Sequence, residues 1–90
     1  MDKIKEEEEI LELAKLYFLN CKFEEAQKEF NKVLKLNPLN SQAYCNLGLI
    51  YECKKNYEQA KQMYKKTLDI DENNKVAKEH LDKITGLSNE

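Results

Sequence analysis

Apolar residues in this chain return every three or four positions. Near the start they fall at Ile10, Leu13, Ala14, Tyr17 and Phe18, the spacing of one face of an α-helix. That spacing predicts a first helix over 7–20. Asn20, Cys21 and Lys22 form a short polar break. A second helix is predicted over 23–35, with Phe23, Ala26, Phe30, Val33 and Leu34 turned inward. Pro38 cannot donate a backbone hydrogen bond and pushes Asn37 out of the helical region, so the helix ends there. Asn40 or Ser41 can cap a third helix. It is predicted to run to about residue 54 and to bury Tyr44, Leu47, Gly48, Ile50 and Tyr51. Lys55 and Asn56 break the chain again. A fourth helix is expected from Tyr57 to about Ile70, with Ala60, Met63, Tyr64, Thr67 and Leu68 inward. Asn73 or Asn74 caps a fifth, which stops at Gly86, a helix-terminating glycine.

The pattern repeats. Laid on residues 7–40, residues 41–74 put Leu47 on Leu13, Gly48 on Ala14, Tyr51 on Tyr17 and Tyr57 on Phe23. Ala60 falls on Ala26, Tyr64 on Phe30, Leu68 on Leu34 and Ile70 on Leu36, always at the same offset. A fixed period with matched apolar and small positions means stacked like units. Small Gly48 and Ala60 are expected where two helices cross closely, as are Ala14 and Ala26, because only small side chains let helix axes approach to about 8 Å. Tyr17, Phe30, Tyr51 and Tyr64 should fill the space between units. The hydroxyls of Tyr51 and Tyr64 should find polar partners or water.

Composition narrows the function more than the fold. Ninety residues make one small domain, which is marginal unless its elements pack regularly. Two glycines and one proline agree with long helices. Fifteen basic and 17 acidic residues leave a net charge of −2, with no electrostatic footprint for nucleic acid. No run of about 20 apolar residues is present, so no membrane span is expected. Residues 1–10 are acidic without an apolar stretch, unlike a secretory signal, and a cytoplasmic setting is expected. The three cysteines are odd in number and lack CxxC spacing. Cys45 and Cys53 on one helix would stand about 12 Å apart along its axis, too far to bridge. All three read as small free thiols.

No catalytic constellation emerges, so no enzyme is expected. His80 is the single histidine and has no serine or cysteine nucleophile at a recognisable spacing; no cysteine lies near it in sequence to share a metal. Gly48 and Gly86 stand alone, so no phosphate-cradling loop exists. The acidic runs lack the ligand spacing and central glycine of a calcium loop. No cofactor and no metal are expected.

The residues Tyr44-x2-Leu47-Gly48-x2-Tyr51, followed by Ala60 and Tyr64, resemble the tetratricopeptide repeat signature. Ile10-x2-Leu13-Ala14-x2-Tyr17, followed by Ala26, Phe30 and Pro38, resemble it again. The chain departs from the signature in having Ile10 or Tyr44 for its Trp, Val33 or Thr67 for its second Ala, and Glu72 for its second Pro. The resemblance implies an all-α, right-handed helical repeat of two helix-turn-helix units, 7–40 and 41–74. An acidic extension is expected over 1–6, a capping helix over 75–86 and a polar tail over 87–90. The capping helix places Leu81 on the signature Leu but Asp82 where Gly48 and Ala14 sit. With no further helix to receive it, Asp82 should stay wet, as the outer face of a terminal repeat requires.

The resemblance also implies a function: a non-catalytic scaffold or adaptor that binds a peptide or helix of a partner protein in a concave groove. The first helix of each unit would line that groove. Leu11, Lys15, Phe18 and Leu19 would come from the first unit, and Gln42, Cys45, Asn46, Leu49, Glu52 and Cys53 from the second. Val76, Glu79, His80 and Lys83 would come from the cap. Leu11, Phe18, Leu19, Cys45, Leu49 and Cys53 would make a mostly apolar stripe of the kind that marks a partner site. Some family members grip acidic chaperone tails with a carboxylate clamp of Lys, Asn, Asn, Lys and Arg. Here those positions hold Leu11, Lys15, Asn46, Val76 and His80, and only Asn46 matches. The alternative expectation is a self-associating unit, a homo-oligomer joined through its N-terminal end, where Ile10, Leu13 and Tyr17 would be half covered.

Overall fold

The computed structural model describes residues 2–86. Its helices are α1 (Lys3–Leu19), α2 (Phe23–Leu36), α3 (Ser41–Cys53), α4 (Tyr57–Ile70) and α5 (Lys75–Thr85). No strand occurs among the described residues. The tail expected over 87–90 lies outside them.

The helix ends follow local chemistry, and they repeat in step with the sequence. Asn40 Oδ1 accepts from Ala43 N at 3.0 Å, and Asn74 Oδ1 accepts from Ala77 N at 2.9 Å. Each satisfies a backbone N–H that the first helical turn leaves free. Asn56 caps α4 through Gln59 N at 3.4 Å, whereas Lys22 gives α2 no side-chain cap. Between the helices of each pair the chain turns on a left-handed residue, Cys21 at φ 60° and Lys55 at φ 64°. Lys22 N then donates to Tyr17 O at 2.9 Å and Asn56 N to Tyr51 O at 2.8 Å, closing both helices the same way. Gly86, at φ 81°, ends α5.

α1 starts earlier than residue 7. Asp2 accepts from Ile4 N and Lys5 N at 3.1 and 3.2 Å, so helix runs through most of the acidic stretch expected as an extension. An aspartate is a strong N-cap, and carboxylates near a helix N-terminus suit its dipole.

Two buried clusters hold the stack. One joins Leu11, Ala14, Ala26, Phe30 and Val33 of the first helix pair to Ala43, Leu47 and Ile50 of α3. The other joins Cys45, Ala60 and Tyr64 to Ala77 of α5, with Leu49, Leu68, Leu81 and Ile84 packed on it. The close approach at Gly48 is onto the ring of Tyr64. A Cβ at residue 48 would lie 2.5 Å from Tyr64 Cε1.

Polar ties stitch the pairs together. Glu7 accepts from Asn37 and Asn40 Nδ2 at 2.9 and 2.7 Å. Gln27 Nε2 donates to the Tyr51 hydroxyl at 3.1 Å, and Lys54 Nζ reaches Glu24 at 2.6 Å and Gln27 at 3.1 Å. Between successive pairs α2 packs on α3 and α4 on α5, and α1 also touches α3 as α3 touches α5. α1, α3 and α5, the first helices of the two units and the cap, are the ones expected to line the inner side of such a stack.

Candidate functional site

The residues expected on the inner side fall into two groups. Toward the N-terminal end the face is apolar. Leu19, at the end of α1, is 74% exposed. Phe18 beside it is half-buried and packs on Phe23, ring centroids 5.8 Å apart at 53°. From α3 come half-buried Leu49 and exposed Cys53, a free thiol. Lys15 Nζ donates to Gln42 Oε1 at 3.2 Å, linking α1 to α3 at the rim. Asn46 spends its amide on the Gln42 carbonyl at 2.9 Å, within its own helix.

Leu11 and Cys45 contribute differently from their neighbours. Both are buried, Leu11 in the first cluster and Cys45 in the second. Burial pushes the Cys45 thiol pKa up. Each residue offers almost no surface, because residues distant in sequence pack over it: Ala43 and Leu47 belong to the Leu11 cluster, and Tyr64 and Ala77 to the Cys45 cluster. Of the apolar residues expected on this face, Leu19 and Cys53 are exposed and Phe18 and Leu49 are half-buried, so fewer offer surface than the spacing alone predicts.

Toward the C-terminal end the face is polar and centred on Glu52. Its Oε1 accepts from the Tyr64 hydroxyl at 2.7 Å and lies 2.9 Å from His80 Nδ1. Lys83 Nζ lies 3.6 Å from its Oε2. Burial by itself would raise the Glu52 carboxyl pKa. The hydrogen bonds from Tyr64 and His80, with the charges of His80 and Lys83, outweigh it and hold the carboxyl below its ordinary value. Tyr64 is pushed far up, first by burial and then by the Glu52 carboxylate it donates to. Through these contacts Glu52 of α3 ties Tyr64 of α4 and His80 of α5 together. Val76 is exposed at the start of α5, Glu79 is exposed, and Asp82 is half-buried.

Beside Glu52, an open cleft of about 380 Å³ is lined by Glu52, Tyr57, Lys83 and Ile84. Tyr57 and Ile84 are not among the residues that the sequence places on this face. Their signal lies in the repeat, since Phe18 and Phe23 stand one repeat before Glu52 and Tyr57. Among the described residues no three His, Cys, Asp or Glu side chains converge to hold a metal ion. No helix among them is long and apolar enough to cross a membrane.

The geometry agrees with what the chain is similar to. A family model described as Tetratricopeptide repeat matches residues 6–73. Heat shock protein STI1 of Saccharomyces cerevisiae (strain ATCC 204508 / S288c) is 38% identical over 63 residues, covering 70% of this chain and 11% of that protein. The chain thus spans only a small part of that relative. Among solved structures, the first TPR of Spaghetti (RPAP3) bound to HSP90 peptide SRMEEVD superposes with a TM-score of 0.80. That match has 28% identity and covers 90% of this chain and 64% of the other. With the period, the paired helices and the small-residue crossing in place, the chain belongs to the tetratricopeptide repeat family.

Proposed function

We propose that this domain is a non-catalytic adaptor that binds a peptide or helix of a partner protein on its inner face. The observation that carries the reading is the apolar strip of Phe18, Leu19, Leu49 and Cys53 on adjacent helices, rimmed by Lys15, Gln42, Asn46 and Glu52. A segment with spaced apolar anchors is the ligand such a strip fits. Residues 7–40 and 41–74 serve as the two units and 75–86 as the cap. A cytoplasmic setting belongs to the same reading and is supported by the free thiols of Cys21 and Cys53 on the surface.

The structural neighbour carries the HSP90 peptide SRMEEVD, which is acidic toward its end. An acidic terminus fits this face less well than an internal apolar segment. Leu11 is buried where the clamp has a cation, Val76 stands at another such position, and His80 is engaged with Glu52. A terminal carboxylate would lose its charge-assisted bonds there and meet the Glu52 carboxylate. A peptide selected from a displayed random library tests the reading. Leu19→Glu, at a surface position, and Leu49→Glu should abolish its binding while helical content by circular dichroism stays intact. Normal binding by both variants would refute the assignment.

A second reading, self-association through the N-terminal face, is favoured by Leu13 and Leu16. They are 41% and 57% exposed, while their counterparts Leu47 and Ile50 are buried between the pairs. Sedimentation velocity across a hundred-fold concentration range decides it: an invariant monomer removes this reading and leaves the first.

A further inference from the structure

The cleft lined by Glu52, Tyr57, Lys83 and Ile84 has a counterpart inside the same molecule. One repeat earlier in the chain, its lining becomes Phe18, Phe23, Leu49 and Ile50. There the space is filled. The Phe18 ring packs on Phe23 at 5.8 Å, and both rest on the first core cluster with Ile50. In the second pair the position of Phe18 is taken by Glu52, whose Oε1 is drawn to Tyr64 and His80 at 2.7 and 2.9 Å. Among the described residues, no ring covers Tyr57 in the way Phe18 covers Phe23. Tyr57 is 48% exposed, whereas Phe23 is half-buried.

We propose that this cleft is an anchor pocket for one aromatic side chain of a bound peptide, its ring packed over Tyr57 and Ile84. The proposal rests on the peptide-binding reading above, because Glu52 and Lys83 stand on the inner face. The first pair supplies the occupant's chemistry: its equivalent space accepts an aromatic ring against an aromatic ring. The rim suits the same guest. The electron-poor edge of a ring is compatible with the Glu52 carboxylate, and the Lys83 ammonium can lie over its face. A phenol hydroxyl has Glu52 Oε2 and Lys83 Nζ within the rim as partners. A guanidinium would have to compete with Lys83 and His80 for the Glu52 carboxylate, and a branched aliphatic chain would leave the Tyr57 face partly uncovered.

The test uses the whole chain, labelled with nitrogen-15, titrated with N-acetyl-tyrosinamide, N-acetyl-leucinamide and N-acetyl-argininamide. The tyrosine probe should shift the amides of Tyr57, Lys83 and Ile84 in a saturable way, at least about five-fold tighter than the other two. Glu52→Phe, which puts back the ring of the first pair, should remove those shifts. That variant also strips Tyr64 and His80 of their acceptor, so Tyr57→Ala is the second test. Tyr57 lies outside both core clusters, and its loss should weaken the tyrosine probe by about five-fold or more with helicity unchanged. Equal binding of the leucine probe, tighter binding of the arginine probe, or shifts confined elsewhere would overturn the pocket. The two readings fail separately. A selected peptide that tolerates Tyr57→Ala but not Leu19→Glu removes the anchor and leaves the groove. One that tolerates both Leu19→Glu and Leu49→Glu removes the groove.

Discussion

Gly48 shows how one missing carbon sets the packing of a unit. In an ordinary helix, alanine is better than glycine by about 1 kcal/mol. Here the added Cβ would sit 2.5 Å from Tyr64 Cε1 and 2.8 Å from Cδ1. The ring cannot easily retreat, since it is fully buried and its hydroxyl is held by Glu52 at 2.7 Å. Overlap should therefore win over propensity, and Gly48→Ala should destabilise by about 1–3 kcal/mol in urea unfolding. Freeing the ring with Tyr64→Phe should recover part of that loss in the double variant, because Ala14 and Phe30 already share these positions in the first pair. Additive losses would contradict this account. Glu52 itself predicts a pH dependence. Its carboxyl is held below the ordinary value of 4.5, so its contribution is complete above that value and fades as pH falls through the lowered one. The stability gap between the native chain and Glu52→Gln should shrink between pH 5.5 and pH 3.5, read from denaturant midpoints. A constant gap would show that the carboxylate gains nothing from its donors.

At the scale of elements, periodicity and end signals locate every helix but miss the start of α1 at Lys3, because apolar spacing and asparagine caps are local properties and the acidic first turns carry neither. Pro38, Asn40, Asn74 and Gly86 each act within a few residues of themselves, and the helix ends sit beside them. What is not legible in the sequence depends on neighbours distant along it. Leu11 and Cys45 share the register of the half-buried Lys15 and Leu49, and it is packing by residues distant in sequence that buries them. The Gly48 crossing is legible as a demand for a small residue, but its partner is not, since Tyr64 reaches across from the middle of α4. The left-handed turns are also hidden, because neither carries glycine. Cys21 and Lys55 take that conformation at φ 60° and 64°, which costs an L-residue roughly 1–2 kcal/mol. Lys55→Gly should relieve most of this at an exposed position. We expect a gain of about 0.5–1 kcal/mol, reduced from the full relief by glycine's greater entropy loss. A loss of thermal stability would mean that the Lys55 side chain holds the turn by some contact of its own.

At the scale of the molecule, the chain is an elongated stack, 50 × 26 × 17 Å, with two repeated helix pairs and α5 laid on the second. The repeat dictates the core, and its departures from repetition mark the surface. Where the first pair has Phe18, the second has Glu52. Where α3 buries Leu47 and Ile50, α1 exposes Leu13 and Leu16. On the reading proposed above, function belongs to the side shared by α1, α3 and α5, where residues from three helices would come within reach of one extended ligand. The inner face as a whole follows from the family pattern, while its division into an apolar part and a Glu52-centred part comes from the packing of α5. Chemical-shift mapping of a library-selected peptide on the nitrogen-15-labelled chain tests this most directly. Perturbed amides should cluster on α1, α3 and α5, led by Phe18, Leu19, Leu49 and Cys53. A cluster on the outer surfaces of α2 and α4 would contradict it.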